Sequence, residues 1–368
     1  MKKNVLKDPI IETRTLLVGI DAPYNISQNS ESYFQEFRNL VRSNGIVPTV
    51  EFFTKLRAID PGYFLTKGKL EDVQKVCEEN DIEEVIFSEP LTVQQERNLS
   101  EVLHARVFDR TQLILEIFEK GAQSSEGKIQ VALAMLQHAK SRLAGHGIGM
   151  SQQAGRIGTK GPGETQKEKD TRHLEHLMTK LRKDLVTLRK VRDTQRKQRL
   201  DARVPHMCII GYTNAGKSTI LNALTKSEVL AEDKLFATLD TTTRELYIDG
   251  KKKGVISDTV GFIQKLPHNL IEAFKSTLDE LQYAHLLLQV IDASDPNWES
   301  HIRVVHEILV ELGVEDKQML YVFNKIDKIA DRELFETKVS RYQPHVLVSA
   351  LSYKTLEPLI DYLKAWKI

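Results

Sequence analysis

The chain is poor in cysteine. Cys77 and Cys208 are the only two in 368 residues. Two thiols cannot build a disulfide framework or a four-thiolate metal site, and they fit a reducing compartment. Long apolar runs are missing too. None approaches the roughly 18–20 residues of a membrane span, and Leu16–Ile20 is too short for the apolar core of a signal peptide. Cytosolic residence is the resulting expectation. Neither sign of charge dominates, with 52 basic and 51 acidic residues. A hydrophobic content of 41% and a charged content of 28% exclude a wholly disordered chain. At roughly 100–200 residues per domain, two or three domains are expected.

What is present is unevenly placed. Residues 1–127 sum to −6, residues 128–203 to +11 and residues 204–368 to −4. A basic middle between acidic flanks points to phosphate as a partner, because clustered Lys and Arg attract polyanions. In the first part, 14–20, 47–53, 84–87 and 106–108 read as strands. Residues 30–43, 69–80 and 91–104 read as helices. Strands alternating with helices predict a small parallel α/β domain over 1–125.

The middle, 126–203, predicts two helices. Ile129, Leu133, Leu136 and Leu143 stripe the first. Leu174, Leu177, Leu181, Leu185, Leu188 and Val191 stripe the second, which over 166–200 makes a rod of about 50 Å. One stripe on each predicts a long antiparallel hairpin. Its connection, 145–165, holds seven glycines, a proline, Arg156 and Lys160, and no acid before Glu164. The second helix carries 12 basic against 5 acidic residues. Arg156, Lys160, Lys183 and Arg189 are the candidate RNA contacts.

From 204 to 368 a second α/β pattern begins, and it carries the chemistry. Gly211-Tyr212-Thr213-Asn214-Ala215-Gly216-Lys217-Ser218 follows a predicted strand and opens a predicted helix, the context of a phosphate loop. Its amides and helix N-terminus suit phosphate oxygens. Lys217 would bridge the β- and γ-phosphates, and Ser218 would ligate Mg²⁺. Asp258-Thr259-Val260-Gly261 follows another strand. Asp258 suits the shell of the Mg²⁺, and the Gly261 amide suits the γ-phosphate. Asn324-Lys325-Ile326-Asp327 selects the base. Asp327 can accept from guanine N1–H and N2–H₂, and adenine offers neither donor there. Asn324 would brace the loop and the Lys325 stem would cover the base. Ser349-Ala350-Leu351 can offer an amide to guanine O6. Between the first two motifs lie Phe236-Ala237-Thr238-Leu239-Asp240 and then Thr241, Thr242 and Thr243. One of the four threonines should reach Mg²⁺ and the γ-phosphate. Phe262 stands directly after Gly261, where many small GTPases carry the glutamine that orients the attacking water. An aromatic ring cannot polarise water, so slow intrinsic hydrolysis is expected.

With these strings, and with Thr66–Glu71, Val107–Thr111, Glu126–Val131 and Gly158–Gln166, the sequence resembles the HflX family of translational GTPases, within the Obg–HflX group. The resemblance runs over roughly residues 5 to 366. It implies an N-terminal α/β subdomain with a helical hairpin, followed by a Ras-like G domain. It implies binding of GTP, GDP and Mg²⁺, and assigns the Mg²⁺ threonine to Thr238. It further implies binding to 23S rRNA of the large (50S) ribosomal subunit, with the tip near the peptidyl-transferase centre. Ribosome-stimulated hydrolysis and the splitting or rescue of stalled ribosomes go with it. A monomer is expected. Lys217, Thr238 and Gly261 are the catalytic candidates. Two departures stand out: Thr241 where a proline is usual, and Gln152, Gln153 and Ala154 in place of a more basic pattern. A GTP-gated rRNA-binding assembly factor is the alternative reading. A signalling GTPase with protein partners is a third.

Overall fold

The computed structural model describes residues 13–25, 30–145, 166–201, 204–225, 235–236, 242–265 and 280–367. They group into two compact units. One takes the described residues up to Ile114 together with 141–145. The other takes Leu115–Lys140 and what is described from Gln166 onward.

In the first unit β1 (Thr15–Asp21), β2 (Val50–Lys55), β3 (Glu84–Phe87) and β4 (Arg106–Phe108) form a parallel sheet in the order β2-β1-β3-β4. The connections are α1 (Ser30–Ser43), α2 (Lys67–Glu79) and α3 (Val93–Leu103). β1 is buried on both faces, and Leu16, Val18 and Ile20 pack with Val85, Phe87 and Leu99. That is why its sequence reads as an unbroken apolar run. β2 begins three residues after the predicted start at Val47.

The string Val107–Thr111 has a structural explanation. Asp109 Oδ1 accepts the Gln112 amide at 2.8 Å, and Oδ2 accepts that of Leu91 at 3.1 Å. The carboxylate thereby opens α4 (Arg110–Gly121). Arg110 is fully buried, ion-paired with Glu36 and 5.0 Å from the centroid of the Tyr33 ring. Periodicity assigns no element to 110–121. Leu113, Ile114, Leu115, Ile117 and Phe118 are nearly contiguous and all buried, so no 3.6-residue pattern stands out.

The second unit holds α5 (Ser125–Gly145) as far as Lys140, together with α6 (Gln166–Asp201), and the two meet along part of their predicted stripes. Ile129, Leu133 and Leu136 pack with Met178, Leu181 and Leu185, and Lys140 pairs with Glu175 at 2.7 Å. Lys140 follows the α5 members of the cluster while its partner Glu175 precedes those of α6, as in an antiparallel pair. Lys183 is exposed and Arg189 half-buried. The candidate contacts Arg156 and Lys160 lie outside the described residues.

The second sheet has the order β10-β9-β8-β5-β7-β6. Its strands are β5 (His206–Gly211), β6 (Thr242–Ile248), β7 (Lys251–Asp258), β8 (Leu286–Asp292), β9 (Met319–Asn324) and β10 (His345–Leu347). All run parallel except β6, which folds back on β7 across Asp249-Gly250. Helices α7 (Lys217–Thr225), α8 (Trp298–Glu311), α9 (Arg332–Val339) and α10 (Glu357–Ala365) accompany it. β5 pairs with β7 on one side and β8 on the other, which places the switch of strand order at its carboxyl end. Such a point is where open α/β sheets bind ligands.

Candidate functional site

The four motifs meet at that point. Gly211 ends β5, and 212–216 turn into α7. Gly216 has φ +94°, and a Cβ there would lie 2.3 Å from Asn324 Nδ2, so the loop and the base-reading segment touch only because glycine stands there. Asn324 joins three segments. Its Nδ2 donates to the Ala215 carbonyl at 2.9 Å, and its Oδ1 accepts the Ala350 amide at 3.0 Å. These two bonds tie the phosphate loop and the Ser349–Leu351 segment to Asn324.

Lys217 is buried, and its Nζ donates to the Tyr212 carbonyl at 2.8 Å. Burial lowers its pKa from 10.5 to about 8, against the opposing pull of the Asp258 carboxylate. A buried ammonium at the N-terminus of α7 suits an anion. Ser218 Oγ donates to Asp258 Oδ2 at 2.7 Å. The two are hard oxygen donors side by side, the chemistry Mg²⁺ takes. Thr259 turns away from this pair. Its hydroxyl donates to the Ile209 carbonyl at 2.8 Å, and Val260 is buried.

At the Asn324–Asp327 end, where base reading is expected, Ser349 Oγ donates to Asp327 Oδ1 at 2.5 Å, which fixes one carboxylate oxygen. Asp327 itself is exposed and Ile326 half-buried. Lys325 Nζ donates to the Asn214 carbonyl at 2.8 Å and pairs with Asp292 Oδ2 at 2.7 Å. Its stem therefore spans from the base-reading loop to the phosphate loop. Leu351 is 82% exposed. Of the segment between the first two motifs, Phe236 is buried. Ala237, Thr238, Leu239 and Asp240 lie outside the described residues.

The sequence reading passed over three residues. Asp292 holds Lys325, and its only signal is an acid at the end of an apolar strand, the same signal that marks Asp258. His301 stacks on Tyr212 with ring centroids 3.8 Å apart. Burial pushes its imidazole pKa down, against the pull of the Asp295 and Asp292 carboxylates. The Gln264 amide reaches the Tyr212 hydroxyl at 2.9 Å. No spacing rule links these last residues, because they come together only across the sheet. Phe262, at the position of the missing glutamine, is 1% exposed among Ile210, Leu281, Leu287 and Val305. It is a core residue.

Comparison with known proteins matches three family descriptions in succession. They are a GTP-binding GTPase N-terminal region over 31–119, a GTP-binding GTPase middle region over 121–199 and a 50S ribosome-binding GTPase over 206–325. The GTPase HflX of Lacrimispora saccharolytica is 42% identical over 354 residues, 96% of this chain and 83% of that protein. That of Escherichia coli K12 is 41% identical over 307 residues, 83% of this chain and 71% of that protein. The crystal structure of the SsGBP and GDP complex aligns with TM-score 0.53 at 23% identity, covering 96% of this chain and 98% of the other. It shows a shared fold. Among the described residues no helix is long and apolar enough to cross a membrane. Such identity, held from the first α/β unit through the base-reading segment, places the chain in the HflX family of GTPases, as a GTP-hydrolysing enzyme.

Proposed function

We propose that this GTPase is a switch that grips 23S rRNA of the 50S subunit when triphosphate is bound, and that it splits or rescues stalled ribosomes. Lys217 neutralises the β- and γ-phosphates, the Gly261 amide meets the γ-phosphate, and Asp327 reads guanine. Ser218 and Thr238 hold Mg²⁺, with Asp258 behind them; when bound, the ion offsets charge on the phosphates. The basic hairpin and its tip, through Arg156, Lys160, Lys183 and Arg189, contact the RNA backbone. A cytoplasmic monomer suits this role.

The observation that supports the reading most is compositional and structural at once. The segment of charge +11 contains the helix pair α5 and α6, and that pair falls in the same compact unit as the nucleotide site over most of its length. A cationic prong joined to a nucleotide switch is a device for binding polyanions conditionally. The test is sedimentation with purified 50S subunits in a non-hydrolysable GTP analogue and in GDP. Tighter association in the analogue is expected. Equal affinities would refute the switch. Association confined to precursor particles would favour the assembly-factor reading.

A further inference from the structure

The segment that follows Asp258 is tied to the phosphate loop at three points. Phe262 N–H donates to the Gly211 carbonyl at 3.1 Å, and Thr213 N–H donates to the Phe262 carbonyl at 2.8 Å. These two make a parallel bridge between Tyr212 and Phe262. The third tie is the Tyr212 side chain, whose hydroxyl accepts the Gln264 main-chain N–H at 2.9 Å. The Tyr212 ring cannot swing freely, because it lies on His301 at 3.8 Å with 7° between the planes. Tyr212 is 6% and His301 7% exposed.

Gly261 sits inside this arrangement. A Cβ on it would fall 2.8 Å from Thr213 Cγ2 and 2.9 Å from Lys217 Nζ. The peptide that would meet a γ-phosphate is therefore held against the lysine that would meet it too. Nothing in this geometry comes from the side chain at 262, which is turned into the core.

We infer that Tyr212 is a positioning residue for hydrolysis. Its hydroxyl fixes Gln264, and the two main-chain bonds fix Phe262, so the Gly261 amide is aimed without a glutamine beside it. A preorganised donor needs no reorganisation when charge develops, whereas a loosely held one must be ordered at each turnover. The phenol adds a side-chain tie at Gln264, next to the buried Ile263 and two residues beyond the main-chain bonds of Phe262. The inference rests on the chain being a GTPase and adds how the stretch from Asp258 to Gln264, its second switch segment, is held.

The test is Tyr212→Phe in the full chain. The substitution keeps the ring on His301 and removes the acceptor. Single-turnover hydrolysis at saturating GTP and Mg²⁺ is expected to slow by about threefold to tenfold, the range of one neutral hydrogen bond. GTP and GDP affinities and the melting temperature should stay at wild-type values, and hydrogen exchange at the Gln264 amide should quicken. His301→Leu should slow hydrolysis in the same direction, and the double variant should lose less than the product of the two. A rate equal to wild type, with or without faster exchange, would overturn the assignment. So would a loss of GTP affinity that accounts for the whole loss of rate. Wild-type turnover is the control: its absence would count against the enzyme itself, separately from Tyr212.

Discussion

At the scale of single residues, the site is governed by the desolvation of Lys217. Its neighbours hold its pKa near 8 in place of 10.5. A folded-state value below the unfolded one means that the nucleotide-free fold binds fewer protons between these pH values. Its stability contribution from this group therefore rises as pH climbs from about 8 toward 10.5. Nucleotide binding has the opposite sign, since phosphate oxygens favour the ammonium and the complex must take up a proton above pH 8. Affinity for GDP should thus fall steadily as pH rises above about 8, with proton uptake measurable by titration calorimetry in buffers of different ionisation enthalpy. Flat affinity from pH 7 to 10 would show that Lys217 is charged before the nucleotide arrives. The neighbouring Asn324 illustrates a different residue-scale effect. One side chain accepts from Ala350 and donates to Ala215, so it sets the spacing of two loops.

At the scale of elements, a contact links the segment leading to Thr238 with a helix outside the second sheet. Phe236 has φ +58°, an uncommon backbone for an aromatic residue. Its ring meets Phe118 of α4 edge to face, with centroids 4.6 Å apart and planes at 80°. Both are buried. Phe236 stands two residues before Thr238, and α4 leads into α5. Packing of the pair offsets the cost of the left-handed backbone. A double-mutant cycle on Phe118→Ala and Phe236→Ala should give a coupling of about 0.5–1.5 kcal/mol, the range of aromatic pairs. Additive effects would mean that the rings do not hold each other. The hairpin follows simpler rules. Its stripes are legible as leucines, yet the residue most deeply buried on that side of α6 is Met178, 5% exposed, which lies between Leu177 and Leu181 and falls outside the predicted stripe.

At the scale of the whole molecule, the proposed coupling must be reciprocal. If GTP strengthens RNA binding, RNA strengthens GTP binding by the same factor, typically about 1–3 kcal/mol. Deleting Gly145–Glu164 should weaken docking onto 50S particles and leave GDP affinity unchanged, as read by sedimentation and by nucleotide titration. Undiminished docking would detach the tip from binding. Much of this molecule was readable beforehand. Strands before Gly211, Asp258 and Asn324, the helix at 30–43 and the two stripes follow from apolar periodicity and glycine spacing, which are local properties, although β7 runs two residues beyond the expected end at Ile256. The partnership of Arg110 with Glu36, of Tyr212 with His301 and Gln264, and of Phe118 with Phe236 was not readable, because each joins residues far apart in the chain. Sequence alone determined which chemical groups the chain carries and the order in which strands present them, since Gly211–Ser218 and Asn324–Asp327 are short strings with their own local geometry. Tertiary structure alone decided that Phe262 goes to the core, that Lys217 loses its water, and that a tyrosine hydroxyl holds the second switch segment. Those outcomes depend on what packs from other strands and helices, and no local string encodes its distant neighbours.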